Sequence, residues 1–203
     1  MNRATRMAGD AALLMFIAAT ATFGAMFDAG DDGFSQWTHP LAWLGAQGVP
    51  RAMLFNLCGF VLPGMLAAVA LWPLRPALPA DARWSARIGA QLVLLSAIAF
   101  AAQGVLPLDL QDMDGAASGL HAAAWTIWCL SFTAGALALA LGLRGNPPHT
   151  GIPMSCAIVG SIVPLLAFVA PLWLPNAFAQ RAAFLLWFGW VAWIGRIPSL
   201  NRA

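Results

Sequence analysis

Long apolar blocks constrain this chain more than any other feature of its sequence. Each block is close to the roughly 20 residues that a helix needs to cross a bilayer. The blocks are rich in Ala and Leu and lack the alternation that marks a half-buried strand, and an open sheet would leave backbone groups unpaired in hydrocarbon. The sequence therefore predicts an all-α, polytopic transmembrane helical bundle, a single domain over residues 1–203 with spans at 11–27, 52–72, 85–105, 121–143, 152–173 and 181–197.

The charged residues predict an orientation for this bundle. They make up 9% of the chain, against roughly a quarter in a soluble domain, and all of them are Arg or Asp. Short cytoplasmic loops retain Arg, whereas translocated loops do not. If both termini are cytoplasmic, the cytoplasmic segments hold eight Arg and two Asp, and the outer loops hold two Arg and six Asp. We therefore expect both termini to lie in the cytoplasm.

The first apolar block allows a second interpretation. Arg3 and Arg6 precede an apolar run that contains the small residues Ala19 and Ala21, a pattern typical of a cleavable signal peptide. The run continues past this point to Phe27, which favours a retained span. Cleavage would leave five spans, and N-terminal sequencing of the mature protein distinguishes the two cases.

Missing residue types limit the chemistry that this chain can perform. It contains no Lys, Glu or Tyr, so it can form no lysine Schiff base, and its general acids and bases are limited to Asp, His and Cys. Cys58, Cys129 and Cys156 lie in three different spans without a C-x-x-C pair, and we expect them to fill the core. Gly64 and Gly135 are predicted to mark close helix contacts.

Three amides inside the predicted spans, Asn56, Gln91 and Gln103, carry donors and an acceptor that lipid does not satisfy. We expect each of them to face the interior of the bundle. Asn56 also lies about one turn below Arg51 and close to the outer surface, which makes it a candidate ligand-binding residue.

An aspartate and a histidine flank the loop between the third and fourth spans. Asp109 follows the third span, and His121 begins the fourth span twelve residues later. A carboxylate and an imidazole that lie close together can share a proton, orient a tautomer or ligate a metal. The pair is therefore predicted to be catalytic. The alternative is that His121 makes a hydrogen bond that fixes the loop.

An aromatic stripe continues below His121. Trp125, Trp128 and Phe132 follow it at helical spacing, on one face of the fourth span. Trp125 and Trp128 are candidate residues for binding the apolar part of a ligand, with core packing as the alternative.

A metal site is a further possibility at the outer end. His39, Asp109 and His121, with one of the aspartates between Asp28 and Asp32, form an oxygen and nitrogen set that suits a divalent metal such as zinc. No H-E-x-x-H motif or H-x₃-H pair supports this set, so the cofactor remains open.

Several motifs of the chain carry a family resemblance. They are His39-Pro40-Leu41-Ala42-Trp43-Leu44-Gly45, Phe55-Asn56-Leu57-Cys58-Gly59-Phe60, Leu62-Pro63-Gly64, Gly104-Val105-Leu106-Pro107-Leu108-Asp109 and His121. These motifs resemble bacterial multi-spanning membrane proteins grouped as domain of unknown function 998. The resemblance implies a bundle of six to seven spans in a bacterial cytoplasmic (inner) membrane, with polar positions in its outer half, and it implies no particular activity.

These residues together predict an outward-facing polar pocket that binds, and modifies or moves, a membrane lipid or another amphipathic small molecule. Arg51 would hold a phosphate or carboxylate headgroup, with His39 and Asn56 at the same depth. One alternative is a membrane hydrolase that uses a metal or the Asp109 and His121 pair on outer-leaflet lipid. The other is a structural or partner-binding membrane protein. We expect no nucleic-acid partner, and protein partners remain open.

Overall fold

Six long helices form the structure, which is a computed structural model describing residues 3–28, 34–144 and 151–196. Each is long and apolar enough to cross a membrane, and the described ranges contain no strand. The all-α fold with six potential spans is therefore confirmed. Asp31 and Asp32, two of the aspartates considered as metal ligands, lie outside the described residues. The helices are α1 (Arg3–Asp28), α2 (Ala52–Leu74), α3 (Trp84–Val105), α4 (Ala116–Gly142), α5 (Gly151–Leu172) and α6 (Asn176–Ile194).

The helices pack as a closed ring. Each helix contacts the next one along the chain, and α1 closes the ring by packing against α6. Neighbours along the chain run in opposite directions, because each helix begins at the end of the bundle where the preceding one stops. We call the end that carries Asp109, Asp112 and Asp114 the Asp-rich end, and the opposite end, with Arg83 and Arg144, the Arg-rich end.

Aromatic side chains fill the space enclosed by the six helices. Phe100 of α3 lies at the middle of this cluster, with six ring centroids between 5.0 and 6.4 Å from its own: Phe16, Phe60, Trp128, Phe184, Trp187 and Phe188. Large aliphatic side chains such as Leu14, Leu130 and Ile158 instead point outward and are exposed. An apolar exterior around a packed core is the arrangement that lipid requires of a spanning bundle.

The first helix belongs to this core. Phe16 stacks on Phe188 of α6 with a centroid distance of 4.9 Å and meets Phe100 of α3 edge-on at 6.0 Å. Its side chain is 1% exposed. These contacts make α1 part of the packed core of the described bundle.

Two spans widen locally where a proline follows. α2 contains a π-helical turn at Asn56–Val61 before Pro63, and α5 contains another at Leu165–Val169 before Pro171. Proline has no N–H and its ring collides with the carbonyl four residues earlier, and a wider turn relieves that collision. The turn in α2 places Asn56 at the point where α2 meets α3.

The buried amides follow the sequence prediction in two cases out of three. Asn56 and Gln103 lie inside the bundle, with 8% and 1% of their surface exposed. The prediction for Gln91 is wrong, because this residue is exposed on α3. Gln91 lies about 10 Å from the start of α3 at Trp84, where a long side chain can extend toward the polar interface.

Candidate ligand cleft at the Asp-rich end

A cleft of about 530 Å³ opens at the Asp-rich end between the start of α2 and the end of α3. Its lining comes from three segments of the chain. The turn Gly45–Gly48 forms one wall, Asn56, Leu57 and Val61 of α2 form the floor, and Gly104, Val105 and Pro107 form the other wall.

Asn56 joins two sides of this cleft. Its side-chain amide Nδ2 donates a 2.8 Å hydrogen bond to the carbonyl of Gly45. A Cβ at Gly45 would overlap the Asn56 amide, so a larger residue here would displace that amide. Gly104 of α3 comes equally close to α2, since a Cβ there would lie 2.6 Å from the carbonyl oxygen of Asn56. The predicted candidate Asn56 is thus a lining residue whose Nδ2 is already engaged.

His121 supports the α3 wall from behind. Its Nδ1 donates to the carbonyl oxygens of Leu106, at 2.8 Å, and Gln103, at 3.2 Å. These carbonyls lie at the end of α3, where the helix leaves carbonyl groups without an intrahelical partner. The imidazole is 7% exposed and meets the ring of Phe60 edge-on at 6.3 Å. His121 therefore positions the segment that carries Gly104 and Val105.

Asp109 has different partners from His121. Its carboxylate Oδ1 accepts a 2.9 Å hydrogen bond from the backbone N–H of Gln111. Its own backbone N–H and carbonyl both bond to the hydroxyl of Ser118. Within the described residues no hydrogen bond or ion pair joins Asp109 to His121. The imidazole makes the loop-fixing hydrogen bond that was the alternative, and the catalytic pair stays a prediction.

His39 lies in a second polar group, on the loop that packs against α6. Its Nδ1 accepts a 2.9 Å hydrogen bond from the backbone N–H of Ser35, and its ring packs between Phe34 and Trp43. Arg181 Nη1 of α6 donates to the carbonyl of His39 at 3.1 Å. Since none of these residues lines the cleft, the structure does not bring His39 to Asn56.

Arg51 begins α2 in a left-handed backbone conformation, with φ 61°. Its side chain is exposed, and Nη1 contacts the sulfur of Met26 at 2.7 Å. The next residue, Ala52, lines the cleft. Arg51 thus lies beside the cleft without being part of its wall.

The two candidate tryptophans pack away from the cleft. Trp128 is fully buried, with its ring centroid 4.6 Å from that of Phe184 and 5.8 Å from that of Trp187. Trp125 is half-buried and meets Phe168 of α5 at 5.2 Å. Both tryptophan rings pack against other aromatic side chains, as the core-packing alternative expects.

The candidate metal ligands are not assembled. Across residues 3–28, 34–144 and 151–196, no three His, Cys, Asp or Glu side chains lie together in a way that would hold a metal ion. His39, Asp109 and His121 in particular are held by three different sets of partners. Among the described residues these three side chains therefore form no zinc site.

Sequence reasoning gave no role to three residues that build this end. Ser118 organises the loop around Asp109, Gln180 accepts a 3.2 Å hydrogen bond from the N–H of Leu41, and Arg181 holds His39. Arg181 carried a usable signal, because a charge inside an apolar helix is costly and needs partners. Placing the start of the sixth span at residue 181 made it look like a loop residue.

The class of this protein has to be assigned from its fold, because comparisons with known proteins found no match. No protein-family model matches this chain, and neither the curated proteins nor the solved structures contain a match. By its six long apolar helices, the chain falls into the class of multi-pass helical membrane proteins.

Proposed function

We propose that this protein binds a lipid or another amphipathic small molecule in the cleft at the Asp-rich end. The observation that carries the proposal is the two-sided lining of the cleft. Leu57, Val61 and Val105 present apolar side chains, whereas Gln47 and Gly48 supply an amide and main-chain groups at the rim. An amphipathic molecule matches such a lining, since its apolar part and its polar part need different surroundings.

The cleft also lies where a membrane lipid can enter it from the side. Met53, Leu57 and Val105 are 87%, 44% and 68% exposed, on helices that face hydrocarbon. The apolar chain would lie against these residues. The headgroup would lie at the rim near Arg51, whose guanidinium suits a phosphate or a carboxylate.

The proposal is binding rather than catalysis. A general base has to lie within hydrogen-bond reach of the reacting group. Neither Asp109 nor His121 lines the cleft. This placement favours a binding or transfer protein over a hydrolase that acts on a ligand in the cleft.

We also propose that the chain lies in a bacterial inner membrane with both termini in the cytoplasm, and that it belongs to the family of domain of unknown function 998. The distribution of Arg and Asp supports the orientation. The motifs around His39, Asn56 and Asp109 support the family.

Filling the cleft tests the proposed binding. Leu57→Trp and Val105→Trp add a large side chain at two lining positions, whereas Leu130→Trp adds the same side chain to an exposed position of α4 outside the cleft. Native mass spectrometry of protein purified in mild detergent counts the lipids that remain bound. We expect both cleft variants to retain one lipid fewer than the wild type and Leu130→Trp.

Two results would contradict the proposal. One is a wild-type protein that retains no lipid, and the other is equal retention in the cleft variants and in Leu130→Trp. Both cleft substitutions are at exposed positions, so the fold tolerates them.

A further inference from the structure

A second groove runs along the outside of the bundle at the Arg-rich end. It has a volume of about 520 Å³ and lies between α1, α2 and α3. Met65, Val69 and Ile98, each about half exposed, form its apolar lining, and Ala4 and Ala68 make it concave. It extends about 10 Å along α2 from Trp72 toward Met65. Its long direction is therefore that of an acyl chain in the adjacent leaflet.

Three arginines lie close in sequence to lining residues of this groove, at the Arg-rich end. Arg3 directly precedes the lining residue Ala4, Arg6 lies one turn further along α1, and Arg75 follows the lining residue Pro73 by two positions. All three are exposed. The ion pair between Arg196 and Asp10, at 2.7 Å, is the one salt bridge among the described residues. The three arginines at the groove thus have no carboxylate partner in that part of the chain.

We propose that this groove binds an anionic phospholipid, with one acyl chain along Val69 and the phosphate on Arg3 and Arg75. Guanidinium groups bind phosphate through paired hydrogen bonds, and basic pockets between transmembrane helices hold anionic headgroups. Trp72, which is 70% exposed at the mouth, is placed as an interfacial anchor between headgroup and chain.

Charge complementarity selects this occupant over a neutral lipid. Arg3, Arg6 and Arg75 give the mouth three positive charges, and a zwitterionic headgroup would neutralise fewer of them than a phosphatidylglycerol. The inference does not depend on the proposed function, because the groove and the cleft share no lining residue and lie at opposite ends of the bundle.

A competition between two lipids tests the site. Purified protein is mixed with equimolar phosphatidylglycerol and phosphatidylcholine of the same acyl chains, and native mass spectrometry compares the bound amounts. We expect a severalfold preference for phosphatidylglycerol in the wild type and its loss in an Arg3→Gln, Arg75→Gln double variant. Arg83→Gln with Arg144→Gln is the matched control, because it removes the same charge at the same end outside the groove, and it should keep the preference.

Filling the groove distinguishes phosphatidylglycerol bound in the groove from phosphatidylglycerol attracted non-specifically to the Arg-rich end. Val69→Trp should abolish the bound phosphatidylglycerol while leaving the lipid in the cleft, whereas Leu57→Trp should do the reverse. The inference is overturned if the wild type binds both lipids equally, if the control double variant loses as much preference as the groove double variant, or if Val69→Trp keeps its phosphatidylglycerol.

Discussion

Nδ1 of His121 holds the end of α3 beside the cleft through hydrogen bonds to main-chain carbonyls. Substitutions can therefore test the role of Nδ1 separately from that of Nε2. Asn places an amide N–H close to where Nδ1 stands, whereas Ala removes the donor. We expect His121→Ala to lower the free energy of unfolding by about 1–3 kcal/mol, because the buried carbonyls of Leu106 and Gln103 lose their partner. His121→Asn should retain most of the stability. Thermal unfolding in detergent, followed by tryptophan fluorescence, measures both.

The same pair of variants bears on the catalytic hypothesis. If His121 acts only through Nδ1, the Asn variant keeps lipid binding in the cleft. A stable His121→Asn protein that fails to bind would mean that Nε2 contacts the ligand, and an equally unstable Asn variant would contradict the positioning role.

Burial can be predicted from the sequence for residues whose own side chains are costly to expose to lipid. Asn56 and Gln103 are buried as expected, because an amide exposed to hydrocarbon is costly. Gln91 is the exception, because its side chain can extend toward the polar interface. The partners of His121 are main-chain carbonyls. These carbonyls cannot be predicted from the sequence, because any residue type supplies one. The sequence suggested Asp109 as the partner instead, and no direct hydrogen bond joins it to His121.

Close packing between α3 and α4 depends on Gly89 of α3 and Gly135 of α4. A Cβ on Gly135 would lie 2.8 Å from the backbone nitrogen of Val93 and 2.9 Å from the carbonyl oxygen of Gly89. We expect Gly135→Ala to destabilise the bundle by about 1–3 kcal/mol, as overpacking does in other cores. Gly119 of the same helix has no atom within 4 Å of a Cβ, so Gly119→Ala should be neutral or stabilising. Thermal unfolding midpoints of the two variants, measured in the same detergent, compare their stabilities. Equal midpoints would rule out the close contact between α3 and α4 as the cause of the destabilisation.

The apolar blocks predict where three of the six helices begin more closely than where the other three begin. α2, α3 and α5 begin within one residue of the predicted positions, whereas α1, α4 and α6 begin at residues 3, 116 and 176 rather than 11, 121 and 181. Hydropathy marks the part of a helix that lies in hydrocarbon, but a helix can begin in the polar interface. The early turns of α1 therefore include Arg3, Arg6 and Asp10.

Closure of the ring is a property of the whole molecule that no local pattern predicts. Short loops predict which helices are neighbours along the chain, and they say nothing about α1 and α6. This contact depends on Gly9, where a Cβ would lie 3.2 Å from the Cα of Ala192, and on the ion pair of Asp10 with Arg196. The residues involved are almost two hundred positions apart in sequence, so only the complete bundle brings them together.

The charges of the two ends predict an orientation in the membrane, and the orientation decides which leaflet each site meets. The Arg-rich segments carry a net charge of +6 and the Asp-rich ones −4, and the positive side stays in the cytoplasm. In a variant with Cys58, Cys129 and Cys156 replaced by Ala, we expect a membrane-impermeant maleimide to label Met113→Cys in spheroplasts, and Ala80→Cys only after lysis. Both positions are exposed, at opposite ends of the bundle. The reverse pattern would place the cleft in the cytoplasmic leaflet and the arginine groove in the outer one, contradicting the orientation on which both assignments of leaflet depend.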